Sequence, residues 1–104
     1  MKPIIDKAEI AIDFADKFYM GAFGRDAGFD ARADADGLTL KLTRLGDDKR
    51  SVEIHLHYYL LADVLREFAR SLKERKGLDN AHRGPLKDAL EALRDALKRP
   101  ASNT

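Results

Sequence analysis

At 104 residues the chain is long enough for one modest core and too short for two ordinary ones, so a single domain over residues 1–99 is expected. Nineteen basic against eighteen acidic side chains leave a formal charge of +1 with the signs interspersed, which removes the usual electrostatic footprint of a nucleic-acid binder and disfavours a membrane surface. The lack of cysteine excludes disulfides, thiol nucleophiles and thiolate metal sites.

The first residues carry no continuous apolar core of signal-peptide length, and no later run approaches a bilayer span, so a cytoplasmic chain is expected. Residues 4–23 fit two periods. On a helical wheel Ile4, Ile5, Ala8, Ala11, Ile12, Ala15, Phe18 and Tyr19 share an arc opposite Asp6, Glu9, Asp13, Asp16 and Lys17, with Pro3 suited to the first turn and Gly21 to a stop. Ile10, Ile12 and Phe14 also alternate, Asp16-Lys17 suits a turn, and residues 18–23 are aromatic-rich, which gives two short strands instead. The sequence is compatible with both. Gly21, Gly24 and Gly28 around Arg25-Asp26 predict a loop, and their spacing matches neither a dinucleotide nor a Walker phosphate cradle.

Three strands follow, over 29–35, 38–44 and 51–57, as an antiparallel meander. A type I′ turn at Asp36-Gly37 would pair Ala35 with Leu38, Ala33 with Leu40 and Ala31 with Leu42, placing both apolar rows on one face. A five-residue loop through Gly46-Asp47-Asp48 would set Leu42 beside Val52, Leu40 beside Ile54 and Leu38 beside Leu56, with Lys41 opposite Glu53 on the outer face.

The period then changes to 3.6. Leu61, Val64, Leu65, Phe68 and Leu72 make a helical stripe, with Asp63 early, Lys73, Arg75 and Lys76 late, and Gly77 as the stop. A polar connection from Leu78 to Gly84 leads to Pro85, which is expected to open a second helix striped by Leu86, Leu90, Leu93 and Leu97 and closed before Pro100. Residues 100–104 read as a disordered tail. The fold class expected is α+β, with the meander packed against two C-terminal helices.

The one local arrangement with chemical reach is Glu53-x-His55-x-His57. Side chains two apart on a strand share a face at roughly 6.5 to 7 Å, so two imidazoles can meet one ion, zinc being the natural guest, and a carboxylate can join them. Glu53 and His57 are about 13 Å apart by the same rise, and Asp34, across Thr39, is a more distant candidate. The plain alternative is a solvated polar face. Arg32 and Lys41 on the sheet, with Arg70, Lys73 and Lys76 at a helix end, are the residues that would meet phosphates, and Glu74, Asp79 and Asp88 dilute that patch. Asp34-Asp36 and Asp47-Asp48 resemble carboxylate pairs but suit tight turns equally well. Tyr58 and Tyr59 are expected at the strand-to-helix junction, one ring closing the core and the other half exposed. No catalytic triad, dyad or cofactor fingerprint is present in the spacings. The expected role is therefore a small non-catalytic interaction or accessory module, with a protein partner or a second copy covering the wide apolar arc that Ala89, Ala92 and Ala96 add to the last helix. A metal or small-ligand protein is the alternative, and a weak nucleic-acid binder the third.

Overall fold

The computed structural model describes residues 1–46 and 50–99 and has antiparallel sheets followed by two C-terminal helices, an α+β arrangement. In chain order the elements are β1 (Lys2–Pro3), β2 (Ala8–Asp13), β3 (Phe18–Phe23), β4 (Ala27–Ala33), β5 (Gly37–Arg44), β6 (Arg50–His57), α1 (Tyr58–Glu74) and α2 (Asn80–Leu97). One sheet has the order β1-β4-β5-β6, and β2 and β3 form a separate two-stranded ribbon. The expected turn at Asp47-Asp48 and the expected disorder of 100–104 lie outside the described residues.

Residues 4–23 resolve in favour of strands. Ile10 lies opposite Gly21 and Ile12 opposite Tyr19, and the turn closes with the Phe14 N–H donating to the Lys17 carbonyl at 2.7 Å. A helix over the same residues would have to bring Phe23 into the interior by another route; here period two delivers it, and Phe23 is fully buried. Pro3 sits in the short edge strand β1, where its missing N–H is tolerated, rather than at a helix start. The expected three-glycine loop shrinks to residues 24–26, because Gly21 and Gly28 lie inside β3 and β4.

The β5–β6 register is the expected one, with Leu42 opposite Val52, Leu40 opposite Ile54, Leu38 opposite Leu56 and Lys41 opposite Glu53. The β4–β5 register is offset by two residues. Ala33 lies opposite Leu38, Ala31 opposite Leu40 and Phe29 opposite Leu42, so the chain turns through Ala35-Asp36 and Gly37 already belongs to β5. The third strand comes close at this point, and only a glycine allows it. A Cβ on Gly37 would stand 2.0 Å from the Leu56 carbonyl oxygen, so this glycine is needed for its missing side chain, not for a positive φ. The shift preserves parity, and the apolar rows still share one face.

That face is covered at one end by the ribbon. Phe23, Ile4, Ala27 and Leu42 are buried together, with Ala8, Ile10, Phe29, Leu40 and Val52 packed around them. Arg44 fastens the ribbon to the sheet: its guanidinium donates to the Ala22 carbonyl at 2.5 Å and lies 5.6 Å from the centre of the Phe23 ring. Toward the other end of the face, Ala31, Ala33 and Ile54 are exposed.

The chain divides into two compact units, Met1–Val64 and Leu65–Thr104, the boundary falling within α1. No residue of either helix is buried. Gly77, at φ +87°, follows the end of α1 as its stripe predicts. The second helix starts five residues earlier than Pro85 suggests. Asp79 is its cap, accepting the His82 N–H at 2.9 Å, so Pro85 is carried inside the second turn, where its lost N–H still costs one intrahelical bond. His82, expected in a loop, is therefore a first-turn residue, with its ring Nδ1 2.6 Å from the same carboxylate. Hydrogen bonds from the backbone and ring of His82 hold the Asp79 carboxyl below its ordinary range.

Candidate functional site on the polar face of the sheet

The outer face of β4, β5 and β6 is built in rows by the register. Asp30, Lys41 and Glu53 form one row, Arg32, Thr39 and His55 the next, and Gly37 stands opposite His57 beyond them. Asp34, just past the end of β4, sits at the centre of a polar knot. Its carboxylate accepts the Thr39 hydroxyl in a short hydrogen bond and Arg32 Nε at 3.3 Å, while its backbone carbonyl accepts the Tyr58 hydroxyl at 2.5 Å. The Thr39 bond chiefly, with the hydrogen bond and charge of Arg32 behind it, holds the Asp34 carboxyl below its ordinary range against the opposing effect of burial. Thr39 is itself buried, so its hydroxyl needs the partner it has.

His55 and His57 project from the same side of β6, both exposed, with ring centres 4.9 Å apart and planes tilted by 51°. Glu53 does not join them. It lies opposite Lys41 one step further along the strand, and among the described residues no three His, Cys, Asp or Glu side chains converge as metal ligands. Asp34, the distant candidate, is already engaged by Thr39 and Arg32.

The residues considered for phosphate contact are distributed among acidic neighbours. Arg32 pairs with Asp34, Lys41 stands between Asp30 and Glu53 in the ladder, and Arg70 bonds Glu67 at 2.6 Å and Glu74 at 2.9 Å. Lys73 closes the last turn of α1 and Lys76 lies beyond its end. Tyr58 and Tyr59 both remain exposed, so neither ring closes the core; Tyr58 binds the hairpin tip through its hydroxyl instead. That bond and the buried Thr39 carry no periodicity signal, since both depend on where the β4–β5 turn falls. Among the described residues no helix is long and apolar enough to cross a membrane.

No family model, curated protein or solved structure matches this chain.

Proposed function

We propose that this chain is a non-catalytic interaction module of the cytoplasm that works by associating with a second copy of itself. The observation that carries this reading is the second face of the β2–β3 ribbon. One face of the ribbon supplies Phe23 and Ile10 to the core. On the other, Phe18 and Met20 are 64% and 68% exposed and are continued by Ala11 and Ala22, with Glu9 and Asp13 on the same face toward its two ends. A two-stranded ribbon is marginal by itself, and large apolar side chains on both faces suit a strand pair that is covered twice. The helices add to the same demand: Leu90, Leu93 and Leu97 of α2 are all exposed. A cysteine-free chain agrees with a reducing compartment.

Sedimentation velocity over a concentration series tests the reading. A concentration-dependent dimer is expected, and replacing Met20 or Phe18 by Lys should shift it to monomer while the far-ultraviolet circular dichroism stays unchanged. A strict monomer at high micromolar concentration would defeat the proposal.

A further inference from the structure

We infer that His55 and His57 form a two-histidine chelate for a transition-metal ion of the nickel, copper and zinc group, with water completing its coordination. The placement is fixed by backbone, because residues two apart on an extended strand point the same way and the β5–β6 ladder holds β6 extended through both positions. The spacing fits one ion. With metal-to-nitrogen bonds of about 2.0–2.1 Å, each ring centre lies roughly 3.2 Å from the metal, and a tetrahedral angle between the two puts the centres roughly 5.2 Å apart. The observed separation is 4.9 Å, so only small rotations of two exposed side chains are needed to aim a nitrogen of each at a common point.

The residues opposite the pair on β5 are small and uncharged. His57 is opposed by Gly37, which has no side chain, and His55 by Thr39, whose hydroxyl is turned to Asp34. Arg32 is the charged group in the row beyond Thr39, and its guanidinium is paired with the Asp34 carboxylate. On β6 itself Glu53 is the flanking charge, and Asp34 supplies a further negative charge within electrostatic reach of His55. Imidazole donors select late first-row metals over calcium and magnesium, whose preferred ligands are oxygens. With two protein ligands the affinity should be modest, and the ion should exchange.

Isothermal titration of the full chain with nickel chloride, and separately with zinc chloride, at neutral pH tests the inference. Saturable binding of one ion per chain at micromolar concentration is expected, with no binding of calcium. His55→Ala and His57→Ala should each weaken it by about tenfold or more. His82→Ala, which alters a histidine on α2, should leave it unchanged. Both strand positions are exposed, so the variants are expected to keep the wild-type circular dichroism. As an independent readout, substoichiometric copper(II) should broaden amide resonances of β6 and the opposing Gly37 and Thr39 before any others. Absence of saturable binding, or binding that survives either strand substitution, or equal loss in His82→Ala, would overturn the assignment.

Discussion

The β4–β5 hairpin turns through Ala35-Asp36 with Gly37 already inside its strand, whereas the β5–β6 hairpin leaves Arg44 through Leu45 and a Gly46 at φ +128°. The two glycines sit at similar places in the sequence pattern and serve different ends. Gly46 is chosen for a backbone conformation that other residues adopt only under strain, and a Cβ there would meet nothing within 4 Å. Gly37 is chosen for absence of volume, because the Leu56 carbonyl occupies the space a Cβ would need. A glycine next to an Asp is thus ambiguous between a turn and a strand contact, and a third strand decides which.

Alanine at each position should separate the two roles. Gly37→Ala forces a clash with backbone that cannot rotate away, so a loss of about 3 kcal/mol or more in chemical denaturation is expected, and a smaller loss would mean that β5 and β6 can part. Gly46→Ala introduces only dihedral strain and should cost about 1 kcal/mol. Equal costs would erase the distinction.

Thr39→Val probes the hairpin tip through pH. The folded Asp34 carboxyl lies below its ordinary value of 3.8, chiefly through the Thr39 hydroxyl, so the stability it contributes is complete above that value and is lost as pH falls through the depressed one. Removing the hydroxyl should raise the folded value toward the ordinary one, so that this contribution shrinks at neutral pH and the remainder disappears at a higher pH. Denaturation curves between pH 7 and pH 2, with a carboxyl titration of Asp34 by NMR, measure it. Tyr58→Phe removes one exposed hydrogen bond to the tip and is the mildest change, costing less than about 1 kcal/mol.

The legible part of the fold was the part written in short-range parity. Leu40 beside Ile54 and Lys41 opposite Glu53 follow from alternation and loop length alone. The neighbouring register failed because the preference of Asp-Gly for mirror-image turns is local, while the Leu56 carbonyl that excludes a Cβ is nearly twenty residues away. Residues 4–23 satisfied both periods, and what separates them is the burial of Phe23 against Ile4, Ala27 and Leu42, a packing fact between distant segments. At α2 the Pro85 signal outweighed the Asp79 cap in the sequence, although the carboxylate bond to the His82 N–H sets the start. The histidine pair was visible from period two, but the separation of its rings and the engagement of Asp34 by Thr39 and Arg32 needed the register first.

The junction between β6 and α1 has no connecting residue, and the Tyr58 N–H donates to the Asp36 carbonyl at 3.1 Å. The opening amides of a helix ordinarily have no carbonyl to bond and fray into solvent. Here the first of them is closed by the hairpin tip, so its hydrogen should exchange with deuterium more slowly than those of the following first-turn residues. The same bond ties the first turn of α1 to the hairpin tip, so a change that loosens the tip should fray the start of the helix as well.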